Sequence, residues 1–352
     1  MKTYLITGGC GFIGSNFIKY LFSKQENVFV INVDNLTYAG NYSNLQEFDN
    51  NKNYVFVRAD IADKSAIEVI FEKYNIDFLV NFAAESHVDR SIVDPETFIK
   101  TNVLGTTNLL NIAKKNWMIN NSDQYLEGKK YIQISTDEVY GSLGKEGLFT
   151  ENTPLDPHSP YSASKASADL IVKSFYDTFK MPINITRCSN NYGPYQFPEK
   201  LIPLVISNCL NHENIPIYGD GMNIRDWLFV EDHCSAIDLV IDNGKLGEVY
   251  NIGGNNETTN IEMVKSIINY INKNVDENVD ENLIRYVSDR KGHDRRYGID
   301  ASKIKADLGW SPLTQYSKGI IQTINWYLDN TDWLDEIKNG KYRKLAEKEV
   351  CS

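Results

Sequence analysis

The sequence predicts an α/β protein, a doubly wound parallel sheet followed by a smaller C-terminal lobe, and three observations carry that prediction. Six short runs rich in β-branched and aromatic residues alternate with segments of helical length. They are apolar at nearly every position, as strands are when helices cover both faces of a parallel sheet. A glycine-rich turn follows the first run. After Ser189 the alternation stops, and loops rich in Asn, Tyr, Pro and Gly carry the chain to Arg225.

Taken in order, the predicted strands are Thr3–Thr7, Val28–Asp34, Tyr54–Asp60, Phe78–Ala84, Lys130–Thr136 and Ile183–Ser189. Between the first two, Ser15–Phe22 has a helical pattern; parallel neighbours need such right-handed crossovers. Segment 227–252 reads as a helix and then a strand, Glu248–Ile252, that returns to the first domain. The expected division is therefore discontinuous, with 1–189 plus roughly 227–254 forming the large domain and 190–226 plus roughly 255–352 the lobe. Val275–Asn282 is Val-Asp-Glu-Asn written twice, a solvated loop lengthened by duplication.

The chain has 352 residues with 36 Lys+Arg against 47 Asp+Glu, a formal charge of -11, which fits a globular protein and disfavours nucleic acid as a partner. An anionic ligand then needs a local cationic cluster. Cys10, Cys188, Cys209, Cys234 and Cys351 are scattered and never in a C-x-x-C pair, so they read as packing residues of a reduced compartment, without structural zinc. The histidines show no metal-ligand spacing. With no cationic leader and no long apolar stretch, the expectation is a cytoplasmic protein.

Thr7-Gly8-Gly9-Cys10-Gly11-Phe12-Ile13-Gly14 joins the first strand to a helix, where glycines let backbone N–H groups approach a pyrophosphate at the positive helix end. Asp34 ends the second strand where a carboxylate accepts bonds from an adenosine ribose. It also repels a 2′-phosphate and no Arg follows it closely, so the expected cofactor is NAD rather than NADP. Asp60 and Ile61 are placed to touch the adenine.

Ser159-Pro160-Tyr161-Ser162-Ala163-Ser164-Lys165 puts an N-cap and an N1 proline before Tyr161, with Lys165 one turn on along the same face. The ammonium, the helix N-terminus and a nicotinamide cation are expected to lower the Tyr161 pKa from its reference near ~10. Lys165 can also hold the nicotinamide ribose. The fifth strand ends in Ser135-Thr136-Asp137-Glu138, at the strand end where ligands of open α/β sheets bind. Adjacent carboxylates with separated pKa values can act as acid and base on neighbouring carbons. Thr136 can bond the oxygen that Tyr161 deprotonates.

These residues resemble the extended short-chain dehydrogenase/reductase superfamily, a Rossmann-type group, and within it the family of dTDP-glucose 4,6-dehydratases. The resemblance runs from Tyr4 to about Trp333. It rests on the glycine loop, Asn81-Phe82-Ala83-Ala84-Glu85-Ser86-His87-Val88-Asp89, the Tyr161/Lys165 pair and Thr136-Asp137-Glu138. The stretches Asn190–Pro203, Gly219–Trp227, Glu231–His233 and Gly292–Tyr297 add to it. Asn35 stands where the family often has Lys, and Lys291 where it usually has Pro.

The resemblance implies a nucleotide-sugar substrate, dTDP-glucose, oxidised at carbon 4 with Tyr161 as base, dehydrated across carbons 5 and 6 by Glu138 and Asp137, and reduced at carbon 6 by the returning hydride. It also places Ala83, Ala84, Ser86, Thr101, Cys188 and Asn190 around the cofactor. Substrate contacts are implied for Ser86, His87, Thr136, Asn190, Lys200, Leu201, Arg225, Arg290 and His293, while Arg295 and Arg296 suit either a diphosphate or ion pairs within the lobe. Helix Thr97–Ala113 resembles the segment that pairs two subunits, so a homodimer is expected. Another nucleotide-sugar dehydratase, a 4-epimerase, a decarboxylase, or a catalytically silent NAD-sensing protein remain the alternatives.

Overall fold

The protein is described by a computed structural model covering residues 1–120, 122–340 and 342. The chain runs β1 (Lys2–Thr7), α1 (Phe12–Lys24), β2 (Val28–Asp34), β3 (Tyr54–Arg58), α2 (Lys64–Lys73), β4 (Phe78–Asn81), α3 (Val88–Val93), α4 (Pro95–Phe98), a π-helical segment (Ile99–Gly105), α5 (Thr106–Trp117) and β5 (Lys130–Thr136). It continues through a 3₁₀ turn (Asp137–Tyr140), α6 (Pro160–Phe179), β6 (Ile183–Cys188), β7 (Asn190–Tyr192), α7 (Leu201–Leu210), β8 (Ile215–Tyr218), β9 (Ile224–Phe229), α8 (Val230–Asn243) and β10 (Val249–Ile252). The last elements are β11 (Glu257–Thr259), α9 (Asn260–Asn274), β12 (Ile284–Val287), α10 (Ser302–Leu308), α11 (Tyr316–Asp329) and α12 (Thr331–Lys338).

Seven strands form one parallel sheet in the order β10-β6-β5-β4-β1-β2-β3. Successive side chains of a strand point to opposite faces, and β1 shows the consequence: Tyr4 and Ile6 join α1 and α8 in one core, whereas Leu5 joins α2, α5 and α6 in the other. Strand order reverses between β1 and β4, so the glycine turn after β1 opens at the switch point where open α/β sheets bind ligands.

Beyond β6 the chain builds a three-stranded sheet, β11-β9-β7, and a pair, β12-β8. Helices α7, α9 and α11 cover them with a separate core that includes Val205, Ile206, Val264, Ile267 and Ile324. Segment 227–252, expected to open as a helix, begins instead inside β9, because Trp227, Leu228 and Phe229 pair with Asn190, Asn191 and Tyr192. Expected helix Thr97–Ala113 is divided by the π segment, and expected strands three and four end early, at Arg58 and Asn81, where the chain leaves the ladder and turns along the cleft. In the duplicated loop, Asp276 accepts the Asn278 N–H at 2.9 Å and Asp280 the Asn282 N–H at 2.8 Å. Each copy thus closes an Asx turn. Cys10, Cys188, Cys209 and Cys234 are buried free thiols; Cys351 lies outside the described residues. Among the described residues no helix is long and apolar enough to cross a membrane.

Candidate active site

A cleft of ≈ 320 Å³ runs along the carboxyl ends of the large sheet's strands. Its floor is the glycine turn. Gly8 has φ +71, and a Cβ there would stand 2.6 Å from the Ala83 nitrogen, so only glycine fits. Gly11 is the N-cap of α1 and gives it no side-chain cap, which leaves the first-turn N–H groups open to an anion from the cleft. Asp34 sits at the end of β2 with its carboxylate accepting the N–H of Cys10 at 2.9 Å and of Leu36 at 2.8 Å. Those bonds lock the carboxylate at the cleft edge and leave lone pairs for ribose hydroxyls.

All the residues expected around the cofactor line this cleft: Gly8, Gly11, Phe12, Ile13, Gly14, Asp34, Asp60, Ile61, Ala83, Ala84, Ser86, Thr101, Tyr161, Lys165, Cys188 and Asn190. Asn102 explains how distant pieces meet. Its side chain exchanges bonds with Glu85 N–H and carbonyl at 2.9 and 3.0 Å and donates to Ser164 Oγ at 2.8 Å, tying the segment after β4 to α6. The π segment carries both Asn102 and Thr101 into place. Several buried polar atoms of lining residues, among them Asn190 Oδ1, Asp137 Oδ2 and Gln196 Oε1, have no protein partner, which suits a polar ligand.

Thr136, Asp137, Glu138, Tyr161 and Lys165 share the deep end of the cleft. Ser159 caps α6 in a capping box with Ser162, and Pro160 opens the helix, so Tyr161 stands in its first turn. Lys165 reaches across to donate to the Ile134 carbonyl at 2.6 Å. The expected lowering of the Tyr161 pKa is absent from the protein alone. Burial, then Glu138, Cys188 and Asp137, hold the phenol well above its ordinary value, and burial pushes Lys165 down. A low-dielectric pocket disfavours either charge.

The two carboxylates are unlike. Burial, then Glu138 and Asp226, hold Asp137 well above the usual carboxylate range. Glu138 is also raised by burial, but Arg290, Arg225 and Lys200 oppose that rise. Arg225 opposes the rise of both carboxyls, whereas Arg290 and Lys200 act on Glu138.

Of the residues expected to hold a substrate, Ser86, Thr136, Asn190 and Lys200 line the cleft, while His87, Leu201, Arg225, Arg290 and His293 do not. His87 caps α3, and burial followed by the Lys200 charge pushes its pKa down to about 4. Leu201 packs on the core of the second lobe instead of facing the cleft. Arg225 is buried on β9, donates to the carbonyls of Ile224 at 2.7 Å and Asp294 at 3.0 Å, and lies 4.2 Å from the Tyr297 ring centroid. His293 Nδ1 is 2.6 Å from Asp289. Arg295 and Arg296 are engaged by Asp220 and Glu257, so they serve as ion pairs within the lobe. Sequence reasoning named no role for Thr37, Tyr38, Gly40, Gln196 and Phe197 on the cleft wall; Gln196 and Phe197 lay within the Asn190–Pro203 stretch that carries the resemblance, and Tyr38 stood as an aromatic in the loop after β2.

A glycine turn at a switch point, an acid closing β2 and a Tyr/Lys pair on the helix before β6 define an NAD-binding enzyme of the extended short-chain dehydrogenase/reductase class. Residues 5–323 match the family model described as GDP-mannose 4,6 dehydratase. A dTDP-glucose 4,6-dehydratase of Xanthomonas campestris is 49% identical over 346 residues, 97% of this chain and 98% of that protein. A dTDP-glucose 4,6-dehydratase from Bacillus anthracis, solved in complex with NAD, is 46% identical with a TM-score of 0.86, covering 96% of this chain and 100% of that one. One from Streptomyces venezuelae, with NAD and TYD bound, is 43% identical with a TM-score of 0.86, covering 94% and 98%. The chain belongs to the dTDP-glucose 4,6-dehydratase family.

Proposed function

We infer that the protein is an NAD-dependent hydro-lyase that converts dTDP-glucose to dTDP-4-keto-6-deoxyglucose. One observation supports the choice among nucleotide-sugar enzymes: two adjacent carboxyls in unlike surroundings, Asp137 held up by burial and Glu138, and Glu138 opposed in its rise by Arg290, Arg225 and Lys200, line one cleft with Tyr161. When bound, NAD would supply the acceptor for the carbon-4 hydride and its donor to carbon 6, with a nicotinamide cation that favours ionised Tyr161. Gly8, Gly11 and the open first turn of α1 would hold its pyrophosphate, Asp34 its adenosine ribose and Lys165 its nicotinamide ribose.

Tyr161 removes the proton of the 4-hydroxyl, with Thr136 bonded to the same oxygen. The resulting ketone acidifies the proton on carbon 5, which Glu138 takes and gives back to carbon 5 when the hydride reaches carbon 6. Asp137 gives its proton to the 6-hydroxyl, which leaves as water. Lys200, Arg225 and Arg290 converge electrostatically on Glu138 and supply the cationic end that a diphosphate needs in a protein of charge -11.

The large domain in this reading is 1–189 with roughly 227–254, the remainder forming the nucleotide-sugar lobe. The setting is cytoplasmic. A homodimer is supported by Ile99, Leu104 and Leu170, which are 46%, 57% and 62% exposed on the π segment and α6. Substrate deuterated at carbon 4, followed by mass spectrometry, tests the activity. Product should be lighter by one water and carry the label at carbon 6; unchanged mass would point to an epimerase or a silent cofactor-binding protein.

A further inference from the structure

Arg187 lies outside the cleft, on β6, with Ser135 beside it on β5 and Asn251 on β10. It is buried, and so are the two groups it grips. Its Nε donates to Asp169 Oδ2 at 2.8 Å, and its Nη1 donates to the Tyr140 hydroxyl at 2.9 Å. Asp169 is one turn beyond Lys165 on α6, on the face that Lys165 presents. Tyr140 closes the 3₁₀ turn that opens with Asp137 and Glu138.

The Tyr140 hydroxyl in turn donates to Asn251 Oδ1 at 2.8 Å, and Asn251 Nδ2 donates to the Phe149 carbonyl at 3.0 Å. The Tyr140 ring stacks on Phe149 with centroids 5.1 Å apart. Gly141, with φ +86, then ends the turn. The turn is therefore anchored from behind, and one guanidinium joins that anchor to α6. A planar fork with donors in fixed directions can hold two such partners at a set angle; an ammonium cannot.

We propose that Arg187 is a positioning residue that sets the spacing between the oxidising pair Tyr161/Lys165 and the eliminating pair Asp137/Glu138, through Asp169 on one side and Tyr140 on the other. The inference rests on the dehydratase reading above. It has a direct chemical reason. The sugar stays in one pocket while protons leave its carbon-4 oxygen and its carbon 5, so both pairs must fit one bound pose, and displacements near 1 Å can cost about a hundredfold in rate.

Two variants separate the arms of the clamp. Tyr140→Phe deletes only a hydroxyl and frees the turn; Asp169→Asn removes the charge that holds Arg187 to α6. Rapid-quench single turnovers read oxidation at carbon 4 and loss of water separately, with thermal melting as a check on folding. Tyr140→Phe should slow water loss about tenfold or more while oxidation stays within about twofold, so that 4-keto-hexose accumulates. Asp169→Asn should slow oxidation about tenfold with no build-up of ketone. If Asp169→Asn does not fold, the Tyr140→Phe ratio decides alone. Equal loss in both steps, or parental rates in a folded Tyr140→Phe protein, would overturn the clamp while a dehydrating parent leaves the activity standing. A parent that forms no dehydrated product overturns the activity and the clamp together.

Discussion

Asp137 and Glu138 are consecutive residues governed by one hydroxyl: Thr136 Oγ1 donates to Asp137 Oδ1 at 3.3 Å and accepts the Glu138 backbone N–H at 3.3 Å. The contact makes Thr136 the N-cap of the short turn that carries both acids. It fixes their relative orientation, while their surroundings differ. Asp137 keeps a buried oxygen with no protein partner, while cations from the second lobe face Glu138.

Asp137→Asn preserves the side chain's size and removes its acidic proton. Oxidation at carbon 4 should persist, and water loss should slow by about 10²–10⁴. In stopped-flow mixing of matched enzyme and substrate, the absorbance of reduced nicotinamide should persist where the parent shows it only in passing. Product formation at the parental rate would make Asp137 a structural residue.

Tyr161→Phe deletes one hydroxyl and keeps the buried ring, so it should leave the fold intact and lower turnover by about 10²–10⁴. Here the block precedes oxidation, so no reduced nicotinamide should form on mixing. An undiminished burst would assign the base to another group.

Arg225 brings a buried guanidinium whose protein bonds go to carbonyls rather than carboxylates. Arg225→Met keeps the packing on Tyr297 but loses the charge. A charge-assisted phosphate contact contributes roughly 1.5–3 kcal/mol, so nucleotide-sugar affinity in calorimetry should fall about ten- to a hundredfold. Equal affinity would remove Arg225 from the binding site.

His233 is fully buried on α8, with Nδ1 2.8 Å from Asn191 Oδ1 and no partner at Nε2. Burial pushes its pKa down to about 3. The unfolded chain, with a histidine near ~6.5, therefore binds a proton that the folded chain refuses between those values. The neutral ring's contribution is complete above about pH 6.5 and declines as pH falls toward 3, by about 1.4 kcal/mol per unit. Denaturant melts of the parent and His233→Gln across that window should converge at that rate; parallel curves would show that the ring titrates normally.

Much of this architecture was legible in the sequence because it rests on local chemistry. The glycines at 8, 11 and 14, the acid ending β2, and the Ser159-Pro160 start of α6 are each set by short-range backbone requirements that residue type alone discloses. The order of β-rich runs and helices likewise limits the sheet to a parallel one. Tertiary structure decided what depends on the far side of the chain. The unlike surroundings of the two carboxyls come from Arg225, Arg290, Lys200 and Asp226, all distant in sequence, because charges in a dry pocket act through space. The bend of the π segment that delivers Thr101, the pairing of Trp227 with Asn190, and the Arg187 fork joining α6 to the catalytic turn exist only once separate segments pack. Their energies come from burial and directed hydrogen bonds between distant residues, which no local pattern encodes.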